Sequence, residues 1–369
     1  MPKQRILALD VFRGITIFAM ILVNNPGSWS HVYAPLLHAK WHGCTPTDLI
    51  FPFFLFIVGV AIELSLGGQL KKGTPKGFLL RKSLIRALKL IGLGLLLTAI
   101  PYFDLAHLRF PGVLQRIGLV YFISTVMYLY WSPKALVFSS GILLIGYWLC
   151  MTFIPVPGIG PANLEPGTNL AAWIDQQVLT GHMWSQTKTW DPEGLFSTLP
   201  AIVTCLLGVA CGKILTGNSS HKARLTKWGI AGVTLVFGGL AWSLFFPLNK
   251  ALWTSSFVLY TAGWAFLGLA ACYWILDVKG WKKWSLPFVI YGMNAITVFF
   301  LSGVIAKLFG LIKVNWEGTR VSLKLFLQEA LFNGWLAPKD ASLCGAILMM
   351  IILFIPAYFM WKRNIIIKV

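Results

Sequence analysis

The chain has 369 residues, 57% of them hydrophobic and only 12% charged, with 17 Trp and 26 Phe. A soluble chain carries about 25% charged residues, so disordered, coiled-coil, collagen-like and disulfide-scaffold classes are excluded and a polytopic membrane protein remains. The formal charge of +19 is read as Lys and Arg that orient helices at the cytoplasmic face, not as a sign of a nucleic-acid partner.

A bilayer core of about 30 Å needs about 20 apolar residues per helix. Ten segments meet that need, at 6–24, 48–66, 81–100, 112–131, 134–154, 196–215, 227–247, 251–276, 284–306 and 341–361. The expected fold is therefore all-α, one transmembrane domain over 1–369 with no internal repeat or linker. The first run follows the basic start Met1-Pro2-Lys3-Gln4-Arg5 without a small-residue cleavage site, so a retained helix is expected in place of a removed leader. It carries Asp10 and Arg13, three apart and able to pair on one face. Asn24 and Asn25 close it, and Asp48 opens the second helix, where a carboxylate suits a helix N-terminus.

Between them lies the densest polar chemistry in the chain: His31, His38 and His42, with Trp29 and Trp41 alongside. An acyl-transfer site needs an amide donor such as Asn24 to hold a developing oxyanion, and an imidazole to take a proton from the attacking group. The plainer reading also stands: Asn-Pro-Gly is turn chemistry and interfacial Trp is anchoring. His38 and His42, four apart, could share a helix face toward zinc, but a third ligand and a His-Glu-x-x-His motif are missing, so no metal is expected.

Further along, Lys71, Lys72, Lys76, Arg81, Lys82, Arg86 and Lys89 form a basic cluster that suits anionic lipid or a phosphorylated ligand, without a Gly-rich phosphate loop. Gln115 and Arg116 enter the fourth segment with few compensating charges. Asp191 and Glu193 precede the sixth, as helix caps or as a sugar-binding pair. Asn294 falls mid-span in the ninth, bonding another helix or lining a channel. Leu323–Trp335 is amphipathic and is expected on the membrane surface or packed under a loop. The six cysteines form no CxxC, and Cys150, Cys205, Cys211, Cys272 and Cys344 sit in or beside spans. Placing both termini inside puts most Lys and Arg in the cytoplasm and leaves 25–47, 155–195 and 307–340 outside, with five of the six histidines.

Leu9-Asp10-Val11-Phe12-Arg13-Gly14, then Val23-Asn24, then His38-Ala39-Lys40-Trp41-His42-Gly43-Cys44-Thr45-Pro46-Thr47-Asp48-Leu49-Ile50-Phe51-Pro52, resembles the heparan-α-glucosaminide N-acetyltransferase family. The likeness continues through Pro111–Gly118, Asp191–Thr198 and Pro247–Ser256 in the same order. It implies transfer of acetyl from cytosolic acetyl-CoA across a bacterial inner membrane to a glucosamine-type amino sugar. It also implies His38 as base and Asn24 as active-site amide, and Asp48 at the start of the second helix is then the candidate orienting partner. Trp41, His42, Asp191 and Glu193 are then candidates for the sugar, and Arg13, Arg116 and Asn294 for CoA. The sequence departs from the lysosomal member in carrying His42 where that member has Asn, and in lacking its large lumenal N-terminal region, which points to a monosaccharide or wall fragment as acceptor. A transporter for a small solute and an O-acyltransferase of surface glycans remain as alternatives, and the oligomeric state, a homodimer included, stays open.

Overall fold

The computed structural model describes residues 6–367; the basic start at 1–5 and the last two residues, Lys368 and Val369, lie outside the described residues. In chain order the helices are α1 (Leu7–Asn24), α2 (Pro46–Leu70), α3 (Lys76–Ala99), α4 (Val113–Tyr130), α5 (Pro133–Phe153), α6 (Leu170–Leu179), α7 (Thr198–Thr216), α8 (His221–Ser243), α9 (Ser255–Val278), α10 (Leu286–Met293) and α11 (Ala295–Leu311). A two-stranded antiparallel hairpin follows, β1 (Lys313–Trp316) and β2 (Thr319–Ser322), then α12 (Leu323–Gln328) and α13 (Pro338–Lys362). Each of the ten predicted segments falls on these helices, and the fold is all-α and polytopic.

Among the described residues, eight helices are long and apolar enough to cross a membrane by themselves. The predicted third span, α3, carries exposed Lys76, Arg81, Lys82, Arg86 and Lys89 along its first half, a basic end that long side chains can carry to the interface. The predicted ninth span is not one helix. It bends by 73° between α10 and α11. Asn294 sits at that break in a non-helical backbone conformation (φ −123°, ψ 42°), so the midspan position read from hydropathy is a junction between two helices.

The contacts fall into two units, Met1–His38 with Thr45–Ile50 and Cys272–Val369, and Ala39–Cys44 with Phe51–Ala271. In the first, α1 packs along α10 and against α13. Gly14 permits the close approach: a Cβ there would stand 1.8 Å from the Phe288 carbonyl oxygen. The start of α1 is held by Asp277, which accepts from the Ala8 amide at 3.1 Å, where a carboxylate meets unsatisfied N–H groups. Met20, Val23 and Ile50 form a buried apolar cluster at its far end.

In the second unit α7 is the central element, packed by α4 and α5. α2 approaches it backbone to backbone, since a Cβ on Gly59 would lie 1.9 Å from the Cys205 oxygen and one on Gly208 2.0 Å from the Phe56 oxygen. Glu63 is buried in a π-helical turn of α2 and accepts from the Tyr128 hydroxyl at 2.7 Å and from Thr216 at 2.9 Å. A buried carboxylate without such donors would be costly.

Candidate active site

The loop after α1 is ordered by its own polar side chains. The Asn25 amide donates to the Ile21 carbonyl at 2.8 Å and closes the helix. The Thr47 hydroxyl donates to the Pro35 carbonyl at 3.0 Å, and the Thr45 hydroxyl to that of Leu37 at 2.7 Å. These two bonds tie the residues before His38 to the turn Pro46–Leu49 that starts α2. Asp48 sits in that turn and is 1% exposed. Its Oδ2 accepts from the Thr45 backbone N–H at 2.9 Å.

Asp48 Oδ1 lies 2.6 Å from Nδ1 of His38. The carboxylate side chain is 1% exposed and the imidazole 48%, so a buried anion holds a half-exposed ring. A carboxylate can only accept, so Nδ1 carries the proton and the basic lone pair is on Nε2. That is the tautomer a general base requires, with the ring orientation fixed by its partner. Asn24, the last residue of α1, is exposed and borders a cavity in the same unit.

His42, in the second unit, has a different partner. Asn249, 0% exposed, accepts from the Leu252 N–H through its Oδ1 at 2.9 Å. Its amide nitrogen therefore faces His42 Nδ1, at 3.5 Å. An N–H donor at Nδ1 places the His42 proton on Nε2, which makes that nitrogen a donor. The two histidines thus present opposite chemistry: a lone pair on His38 and an N–H on His42. Asn249 lies within the recognised Pro247–Ser256 motif, but its link to His42, 207 positions away, has no local sequence signal. Trp41 beside it donates from Nε1 to the Leu164 carbonyl at 2.8 Å, with its ring 5.1 Å edge-on to Trp190.

Asp191 and Glu193 do not cap α7; they hold Arg109. The guanidinium meets Asp191 in a fork, at 2.8 and 2.6 Å, and Glu193 at 2.5 Å. Burial alone would lower the Arg109 pKa, but the bond to Asp191 and the two carboxylate charges raise it. Sequence reading missed Arg109 because a single loop arginine carries no pattern. The Asp191 side chain is fully buried, and removing one member of a buried ion cluster costs about 3–5 kcal/mol. Asp191→Ala is therefore expected to lower the thermal midpoint by many degrees or to abolish the monodisperse species in detergent, which fluorescence-detected gel filtration would register.

Asp175 accepts from the Leu195 and Asp191 amides at 2.9 and 3.3 Å. Burial nevertheless pushes its carboxyl from 3.8 up to about 6. The folded state therefore holds this proton more tightly than the unfolded chain. The associated stability is present below about pH 4 and is lost as pH rises through 6, at most about 3 kcal/mol. Asp175→Asn should flatten that part of the midpoint–pH curve between pH 4 and 6; an unchanged slope would clear Asp175 of the effect.

Arg116 is 2% exposed in α4. Its Nη2 donates to the Gly194 carbonyl at 2.9 Å and to Ser197 Oγ at 2.5 Å and the guanidinium lies 5.3 Å from the Trp253 ring centre, while Nε and Nη1 have no hydrogen-bond partner. Buried unpaired guanidinium N–H groups are rare and point to an oxygen-bearing ligand or water. Arg13 pairs with Asp10 at 3.4 Å and reaches the Gly292 carbonyl at 3.5 Å. Asn294 donates to the Ile365 carbonyl and accepts from the Ile367 N–H, each at 2.9 Å, so its amide binds the C-terminal tail. Among the described residues no group of three or more His, Cys, Asp or Glu is placed to hold a metal ion.

Together these features define a polytopic α-helical membrane protein with a carboxylate-oriented histidine held by the turn that starts its second helix. Residues 5–251 match the family described as "Heparan-alpha-glucosaminide N-acetyltransferase, catalytic", and the chain belongs to that family. The heparan-alpha-glucosaminide N-acetyltransferase of Mus musculus is 32% identical over 354 residues, covering 80% of this chain and 53% of that protein. The Homo sapiens protein of the same name is 33% identical over 352 residues, covering 80% and 52%. The chain thus spans about half the length of these relatives.

Proposed function

We propose that the chain acts as one transmembrane acyltransferase domain that moves acetyl from cytosolic acetyl-CoA to the amine of a glucosamine-type sugar on the periplasmic side of a bacterial inner membrane. The single observation that carries the reading is the 2.6 Å His38–Asp48 pair. His38 Nε2 takes a proton from the sugar ammonium; the freed amine attacks the thioester carbon. Asn24 donates to the oxyanion of the tetrahedral intermediate. The C–S bond then breaks, the leaving thiolate takes the second proton shed by the nitrogen, His38 releases its proton to solvent, and amide and CoA depart. Trp41, His42, Asp191 and Glu193 remain the candidate sugar contacts on this reading, the last two held by Arg109.

Arg116 fits the donor: its unpaired Nε and Nη1 offer two N–H groups to a carbonyl or phosphate oxygen of CoA. Arg13 and Asn294 remain donor candidates, their bonds to the Gly292 carbonyl and to the tail requiring exchange on binding. The basic face of α3 supplies attraction for the phosphorylated end from the cytoplasm.

The bend at Asn294 is the one observation that favours a transporter, because discontinuous helices form many transport sites. Both ends of the Asn294 amide are engaged by the C-terminal backbone, which satisfies the break without a solute. The acyltransferase reading explains the His38–Asp48 pair, and the transporter reading does not.

Asn24→Ala is expected to lower kcat by about 10²–10³ with little change in CoA affinity, the loss of one oxyanion donor; an equal loss of CoA affinity would reassign Asn24 to binding. Proteoliposomes test the sidedness. Acetyl-CoA sealed inside right-side-out vesicles should support acetylation of external glucosamine, whereas acetyl-CoA and glucosamine both outside should not. The reverse result would overturn the transmembrane direction.

A further inference from the structure

The cavity beside Asn24 has a lining that a free, positively charged amino sugar does not call for. It encloses about 270 Å³, near the lower end of small-molecule pockets. Lys307 and Lys324 line it, and no carboxylate does among the described residues. Burial lowers the Lys324 ammonium pKa below its ordinary value, so an anion placed there would return much of what desolvation costs. The rest of the wall is largely apolar, with Phe309, Leu348 and Ile352. From Gly345 to Ile352 it follows α13 for about 10 Å, at 1.5 Å per residue. Two lysines, an apolar wall running along α13 and the Asn24 amide together describe the complement of an amphiphile with an acidic head.

We propose that this cavity receives the acceptor as a lipid-linked amino-sugar phosphate, the phosphate at Lys307 and Lys324, the chain along Phe309, Leu348 and Ile352, and the sugar amine beside Asn24. The proposal rests on the acyltransferase reading and names its substrate class. Apolar burial of the chain supplies affinity and the lysines select the anion, so the enzyme discriminates against free glucosamine by binding energy it cannot otherwise collect.

Calorimetric binding to the purified full chain tests it, with glucosamine 1-phosphate, the same sugar phosphate bearing a geranyl chain, and phosphatidylglycerol as probes. The geranyl ligand should bind about 30-fold or more tighter than glucosamine 1-phosphate, from the methylenes it buries. Lys307→Gln and Lys324→Gln should each weaken it about tenfold, and Lys324→Arg should restore binding. Ile352→Trp, which fills the apolar end, should weaken the geranyl ligand selectively and reads the site even if a lysine variant does not fold. Equal binding of glucosamine 1-phosphate would remove the lipid chain from the proposal. Phosphatidylglycerol binding as tightly as the geranyl ligand would make the cavity a lipid-headgroup site and overturn it. Lysine-dependent binding of the geranyl ligand without its acetylation would sink the acyltransferase reading while leaving the cavity's ligand chemistry standing.

Discussion

His38→Ala is expected to cut turnover by about 10²–10⁴, the usual cost of losing a general base, while the protein still inserts and binds CoA. The motive is the tautomer. Asp48 holds the His38 proton on Nδ1 through a 2.6 Å contact, which puts the ring's basic lone pair on Nε2. His42 is held the other way by Asn249. His42→Ala should therefore raise KM for the sugar and keep part of kcat, since it removes a donor and not a base. Steady-state kinetics on both variants separate the roles, and a dead His42→Ala beside an active His38→Ala would transfer the base to position 42.

The second large effect is expected from Asp48→Asn. In the wild type Oδ2 accepts from the Thr45 N–H at 2.9 Å. An asparagine at 48 must keep its carbonyl oxygen on that donor, which turns its NH2 toward His38. The imidazole then accepts at Nδ1 and carries its proton on Nε2, the wrong tautomer for a base. The same inversion costs about 10⁴ in kcat in the serine-protease triad, and a loss of about 10²–10⁴ is expected here with sugar and CoA affinity nearly retained. Nδ1 and Nε2 chemical shifts of His38 from nitrogen-labelled protein would show the switch directly. A variant that loses activity while keeping the wild-type tautomer would make Asp48 a turn cap only.

Much of the fold was legible because lipid demands it: a run of about 20 apolar residues has little option but a helix. The sixth predicted span at 196–215 became Thr198–Thr216, and the tenth at 341–361 became Pro338–Lys362. Hydropathy failed where the chain breaks without changing composition. Ile290, Tyr291, Ala295 and Ile296 read as one apolar run, yet the chain bends at Asn294, whose amide is engaged by tail residues 71 and 73 positions later. The hairpin at 313–322 was missed although its turn is visible in hindsight: Glu317 and Gly318 both have positive φ (47° and 78°), the backbone that Gly favours in tight hairpins. Helix α6 was missed as well, although Asn169 caps it by accepting from the Ala172 amide at 3.0 Å.

The candidate site divides the same way. His38, Asn24 and Asp48 were legible as residue types beside a helix end, and Asp10 with Arg13 as a pair three apart. The His38–Asp48 contact was not, because it depends on Thr45 and Thr47 drawing the loop back onto the turn at Pro46–Leu49. Asp191 and Glu193 read as caps because both stand just before a helix; Arg109, 82 positions earlier than Asp191, supplies the partner that composition could not.

Incubation of the purified chain in detergent with acetyl-CoA and glucosamine tests the central claim most directly, with free thiol and N-acetylglucosamine both quantified. One CoA should be released per N-acetylglucosamine formed, and neither should rise above background with His38→Ala. CoA release and sugar acetylation that persist in His38→Ala, or no transfer to any amino sugar by wild-type protein that binds acetyl-CoA, would contradict it.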